Sequence, residues 1–129
     1  MRASQKEAAA QVCIVDDDAS VRKSLANLLK SAGYQTWAFA SGEAFLASSA
    51  LDQAACVLLD MRMEGLQGLE VQRLLTAAGK PIAVIGMSAH DDEAAVAKVL
   101  QAGARGFLRK PFTEDALLAA IASLAGPRA

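Results

Sequence analysis

Four short apolar runs recur along the chain: Val12–Val15, Cys56–Leu59, Ile82–Met87 and Gly106–Arg109. Each is rich in β-formers, and each leads into a stretch with helical spacing of its apolar residues. Uninterrupted apolar runs of this length are how strands buried on both faces of a parallel sheet read. A further segment, Tyr34–Phe39, alternates, as an edge strand with one wetter face should. The helical stretches carry their own stops. Val21, Leu25, Leu28, Leu29 and Ala32 form a stripe closed by Gly33. Ser41 is placed to cap a short helix holding Phe45 and Leu46. A loop with Gly65 and Gly68 opens onto a helix with Leu69, Val71, Leu74 and Leu75, broken by Gly79-Lys80-Pro81. Asp91-Asp92-Glu93 puts negative charge where a helix N-terminus welcomes it, and Gly103 ends that helix. Pro111 is a hard break, Thr113 caps the last helix, and Gly126-Pro127 closes it.

The pattern is five strand-then-helix units with no linker, low-complexity tract or internal repeat. It predicts one α/β domain, a doubly wound five-stranded parallel sheet with helices on both faces. Right-handed crossovers leave few layouts, of which the commonest has strand order 2-1-3-4-5. Strands one and three then lie side by side, and every strand ends at the same edge. Asp16, Asp17, Asp60, Ser88 and Lys110 each stand where an apolar run stops, so they converge at that edge, where open α/β sheets bind ligands.

Composition narrows the function. At 129 residues the chain fits one domain with its own core. Its formal charge of −1 gives no electrostatic reason to bind nucleic acid, and no stripe of Lys and Arg is visible. Cys13 and Cys56 fall inside strands and read as small buried hydrophobes of a reducing cytoplasm. Residues 1–10 form a polar leader in which Arg2, Lys6 and Ala8–Ala10 faintly suggest an export signal. Gln11 breaks that run, and it ends in three aspartates in place of a cleavage site. No apolar stretch approaches the length of a membrane span, so a cytoplasmic protein without membrane contact is expected.

Three carboxylates at one edge repel: two unit charges about 4 Å apart cost about 4 kcal/mol at an effective dielectric near 20. A divalent cation removes that cost, and an all-oxygen site suits Mg²⁺. Lys110 adds a fixed positive charge, and the centre then favours an anion with several oxygens. Phosphoryl transfer needs such a centre, and a carboxylate is a competent nucleophile for it. Asp60, alone at the end of the central strand, is the best placed.

These residues, in this order, resemble the receiver domain of two-component response regulators. The resemblance is carried by Val12–Asp18, Leu58–Met63, Gly68-Leu69-Glu70, Ser88-Ala89-His90, Ala102-Gly103-Ala104 and Phe107–Phe112. Asp-x-Arg-Met, Ser-Ala-His and Lys-Pro-Phe lean towards the FixJ-like branch. The resemblance implies a (βα)5 flavodoxin-like domain over residues 11–126, with 127–129 as a tail. It implies that Asp60 accepts a phosphoryl group from a sensor histidine kinase. Asp17, Asp60 and the Arg62 main-chain carbonyl would ligate Mg²⁺ or Mn²⁺, with Asp16 acting through water. Lys110, aimed by a cis bond to Pro111, and the Ser88 hydroxyl would hold phosphoryl oxygens, helped by the main-chain N–H groups of Ala89 and Arg62. Ser88 and Phe107 would form the switch that alters the face of the fourth helix, fifth strand and fifth helix. A downstream effector or a fused DNA-binding domain would read that face, and a phosphorylation-dependent homodimer is a further expected mode. The domain would be a phosphoacceptor switch, with at most self-catalysed phosphotransfer and dephosphorylation.

Some positions depart from the family's usual pattern. Glu64 stands where proline is common, Ser88 replaces the commoner threonine, and Phe107 lacks a tyrosine hydroxyl. Arg62 and His90 flank the pocket. Two rival readings also fit parts of the chain. Asp16–Ser20 matches the Asp-x-Asp-x-Ser/Thr pattern of haloacid-dehalogenase-type phosphatases, with Asp16 as nucleophile and Asp18 as general acid. The other is a receiver that binds its partner without phosphorylation.

Overall fold

The computed structural model describes residues 10–63, 65–89 and 93–125. The expectations for residues 1–9, Glu64, His90, Asp91, Asp92 and residues 126–129 lie outside the described residues. Elements run in the order β1 (Gln11–Val15), α1 (Ala19–Ser31), β2 (Gln35–Phe39), α2 (Gly42–Leu46), β3 (Cys56–Asp60), α3 (Gly68–Ala77), β4 (Ala83–Ser88), α4 (Glu93–Gln101), β5 (Gly106–Arg109) and α5 (Glu114–Ala125). A 3₁₀ turn over Ser49–Asp52 precedes β3. The five strands pair in parallel in the order 2-1-3-4-5, as the hydrophobic pattern predicts.

The alternation of each strand divides the core into two layers. Cys13, Val15, Val57, Leu59 and Val84 pack with Phe45, Val71, Leu75 and Val99 on the side of α2, α3 and α4. Val12, Ile14, Cys56, Leu58, Ile85 and Met87 pack with Leu25, Leu29, Leu117 and Ile121 on the side of α1 and α5. Each such side chain, fully withdrawn from water, contributes about 1.5–3 kcal/mol before the entropy of ordering is subtracted. Cys13 and Cys56 are free and belong to opposite layers, so no disulfide joins them. Burial pushes their thiols up to about 11 and about 12, which leaves them inert.

The helix ends follow local chemistry. Ser41 Oγ accepts from Ala44 N–H at 3.1 Å, and Thr113 Oγ1 from Ala116 N–H at 3.0 Å. Gly33 and Gly103 take the left-handed conformation, φ 100° and 109°, after α1 and α4. One expectation needs correcting. β2 does not present one wet and one dry face, because Trp37 and Ala38 are both exposed. On the face that carries Trp37 the strand meets only slight cover from the short α2, and the indole N–H finds its acceptor at Gln11 Oε1, 3.0 Å away.

Candidate functional site

Parallel pairing delivers the C-terminal ends of β1, β3, β4 and β5 to one rim. Asp16 follows β1, Asp60 ends β3, Ser88 ends β4, and Lys110 follows β5. Val15 is in register with Leu59, which sets Asp16 beside Asp60. Carboxylate oxygens of Asp16, Asp17 and Asp60 all lie within 4.8 Å of one another.

Each acid is held differently. Asp16 is fully buried: Oδ1 accepts from Asp18 N–H at 2.9 Å, and Oδ2 lies 2.9 Å from Lys110 Nζ. Its backbone is tied as well, the N–H donating to the Phe39 carbonyl and the carbonyl accepting from Arg22 Nη1. Asp60 is nearly as buried. Its Oδ1 accepts from Arg62 N–H at 3.1 Å, and its Oδ2 is 3.7 Å from Lys110 Nζ. Asp17 is exposed and faces a recess of about 550 Å³ shared with Arg62, Met63 and Gln67.

The electrostatics follow from these contacts. Burial pushes the Asp60 carboxyl above its ordinary range; Arg62 N–H and Lys110 oppose this, while the charges of Asp16 and Asp17 add to it. Burial works against the Lys110 ammonium. Its hydrogen bond to Asp16 and the charges of Asp60 and Asp16 outweigh that, so its pKa rises. Lys110 is therefore a cation throughout the neutral range. The ammonium reaches Asp16 and Asp60, while Arg22 donates to the Asp16 carbonyl. The donor set is all oxygen and carries excess negative charge, which fits a hard divalent cation such as Mg²⁺.

The remaining rim residues border two apolar spaces. Ser88 is buried, and its carbonyl accepts from Lys110 N–H at 3.0 Å, joining the ends of β4 and β5. It lines a cavity of about 500 Å³ with Met61, Val99 and a half-buried Phe107. Ala89 is exposed and borders a recess of about 350 Å³ with Val21, Lys110, Pro111 and Phe112. The Lys110–Pro111 peptide is cis.

Asp18, read above as a candidate general acid, is the N-cap of α1. Its Oδ1 accepts from Ser20 N–H at 2.9 Å and Val21 N–H at 3.2 Å. Asp16 has both oxygens occupied and no exposed surface. It is worse placed for attack than Asp60, whose Oδ2 stands 3.7 Å from Lys110 Nζ, and Asp18 is engaged in the cap, which together count against the dehalogenase-type reading. Sequence reasoning also passed over Arg22 and Gln67. The spacing of Gln67 and Glu70, which matches a capping box, was the available signal for the second.

Residues 12–122 match the response regulator receiver domain family. The transcriptional regulatory protein FixJ of Azorhizobium caulinodans is 39% identical over 115 residues, covering 89% of this chain and 54% of that protein. The response regulator protein TmoT of Ectopseudomonas mendocina is 41% identical over 110 residues, covering 85% and 50%. The chain thus spans about half the length of these relatives. Among solved structures, the response regulator StyR superposes with a TM-score of 0.84 at 43% identity, over 92% of this chain and 60% of that one. The receiver structure FixJ-N gives 0.82 at 34%, over 90% and 93%. Vibrio cholerae CheY4, at 24% identity and 0.84, shares the fold.

Proposed function

From the premise that this chain belongs to the response regulator receiver domain family, we propose that Asp60 is its phosphoacceptor. The supporting observation is the cluster itself: three carboxylates within 4.8 Å, with one ammonium reaching two of them. The receiver unit is taken as residues 11–126, acting in the cytoplasm.

Asp17, Asp60 and the Arg62 carbonyl would hold Mg²⁺, with Asp16 contributing through water. When bound, the cation supplies positive charge to the equatorial oxygens of the phosphoryl group. An Asp60 carboxylate oxygen attacks phosphorus of a phosphohistidine on a sensor kinase. The P–N bond breaks, its electron pair leaves on the imidazole nitrogen, and that nitrogen takes a proton from solvent. Asp60 ends as an acyl phosphate. Lys110 shifts part of its contact from Asp16 to a phosphoryl oxygen. Arg62 N–H, now on Asp60 Oδ1, and Ala89 N–H donate to the same group. The Ser88 hydroxyl turns towards it as well.

The switch follows from that last contact. Moving Ser88 enlarges the space into which half-buried Phe107 can rotate, and the face of α4, β5 and α5 changes for a partner to read. The partner is an effector, a fused DNA-binding domain, or a second copy. The domain is a phosphoacceptor switch, with at most self-catalysed phosphotransfer and dephosphorylation.

The test is incubation with acetyl phosphate and Mg²⁺. The expected result is an alkali-labile mass gain of one phosphoryl group in the natural protein and none in Asp60→Asn. Equal labelling of Asp60→Asn, with none in Asp16→Asn, would move the acceptor to Asp16 and refute the assignment.

A further inference from the structure

The loop from β3 to α3 is held by a side chain whose work is not explained by the helix it begins. Gln67 is the N-cap residue of α3, and its own N–H donates to Glu70 Oε1 at 3.1 Å. Its side-chain amide also reaches back four residues. Oε1 accepts from Met63 N–H at 3.3 Å, and Nε2 donates to the Met63 carbonyl. Both backbone groups of one residue are thus paired by one neutral amide, as a neighbouring strand would pair them.

The consequence lies one atom row away. Met63 N–H and the Arg62 carbonyl belong to the same planar peptide. Among the described residues the one cis bond is Lys110–Pro111, so this peptide is trans and its carbonyl points opposite to its N–H. Fixing the N–H on Gln67 therefore fixes the direction of the Arg62 oxygen. The same hydrogen bond polarises the peptide and enriches that oxygen in negative charge. On its other side Arg62 is held by its own N–H, which donates to Asp60 Oδ1.

Two further contacts keep the clamp in register. A Cβ on Gly68 would lie 2.7 Å from Met61 Cα, so the first turn of α3 is pressed directly against the residue after Asp60. Gln67, Met63 and Arg62 also border the same recess as Asp17. The clamp and the exposed acid therefore face one space.

We infer that Gln67 is a positioning residue that aims the Arg62 main-chain carbonyl at the divalent cation. The inference rests on the reading of the site given above. It separates the two jobs of Gln67, helix cap and loop clamp, and the two respond to different substitutions. Gln67→Ser keeps an excellent N-cap but is too short to reach Met63. Gln67→Glu keeps the acceptor for Met63 N–H and loses the donor.

The experiment titrates Mg²⁺ alone into the unphosphorylated protein by calorimetry, beside a thermal melt and amide exchange at Met63. Gln67→Ser is expected to melt like the natural protein, to exchange its Met63 amide faster, and to bind Mg²⁺ about tenfold more weakly. Gln67→Glu is expected to keep Met63 protected and to bind at least as tightly as the natural protein. Unchanged Mg²⁺ affinity in Gln67→Ser overturns the inference. So does a loss of affinity accompanied by a matching loss of thermal stability, since that is what a cap alone would give. Asp17→Asn serves as the control: if it binds Mg²⁺ like the natural protein, the metal-site reading has failed and the inference falls with it.

Discussion

Around β1 and β3 every strand residue except Gln11 is buried, and the side-chain oxygens of Asp16 and Asp60 face named donors or the Lys110 ammonium. Around β5 and α4 the same sheet edge is half open. β5 buries only Leu108, α4 buries only Val99, and Leu100 is 45% exposed. Between them lies the cavity bordered by Ser88 and Phe107. The contrast has a physical reason. Reactive charges must be fixed before reaction, because reorganising them during it raises the barrier. A surface that reports the reaction must instead have two packings close in energy, which a fully packed corner does not offer.

The largest expected effect tests the rigid half. Lys110→Met removes the ammonium paired at 2.9 Å with a fully buried Asp16. Breaking a buried pair from one side costs roughly 3 kcal/mol, read from urea unfolding of the metal-free protein. Saturating Mg²⁺ recovers part of it. A loss within experimental error would show that Asp16 is not held by Lys110 in solution.

Next comes the loose half. A Cβ at Gly86 would lie 3.0 Å from Val99 Cγ1, 3.2 Å from Met61 Sδ and 3.2 Å from Phe107 Cδ1. Gly86→Ala is expected to cost about 1 kcal/mol by overpacking. It should alter amide shifts in α4 and β5 while leaving Mg²⁺ affinity unchanged. Equal perturbation of the metal site would mean the two regions are not separate.

The smallest effect concerns pH. The Asp60 carboxyl is raised in the folded, metal-free protein. The folded state thus binds that proton more tightly than the unfolded chain. The stability this contributes is complete below the ordinary carboxyl value and is lost as pH rises through the raised one. At neutral pH the ionised Asp60 therefore weakens the fold. Asp60→Asn should melt higher than the natural protein at pH 7 without Mg²⁺. The gap should close in acid, and close again when Mg²⁺ is added at pH 7. A gap that persists in both conditions would locate the gain elsewhere.

Much of the rigid half was legible because its signals are local. Apolar runs ending in Asp16, Asp60 and Ser88 mark strand ends, and parallel topology alone brings strand ends together. Gly33, Ser41 and Thr113 mark their turns and caps by residue type. The loose half was less legible, because its character lies in what is missing. Gly86 reads as an ordinary strand glycine until Met61, Val99 and Phe107 are seen to fill the space above it. The exposure of Trp37 depends on how little a five-residue α2 can cover. The turn over Ser49–Asp52 is too short to show a period. Asp18 was hidden by its neighbours: in a run of three aspartates the third is a helix cap, and only its contacts with Ser20 and Val21 separate it from the two that face the site. The spacing of Gln67 and Glu70 signals only the helix cap, and the contacts of the Gln67 amide with the Met63 backbone leave no mark in the side-chain pattern.

The central claim is that one oxygen of Asp60, and no other acid at this edge, becomes bonded to phosphorus. Borohydride reduction of the acetyl-phosphate-treated protein converts an aspartyl phosphate to homoserine, and peptide mass mapping then reports the position. The account predicts homoserine at residue 60, formed only when Mg²⁺ was present. Homoserine at residue 16 or 17, or at residue 60 without any divalent cation, would contradict it.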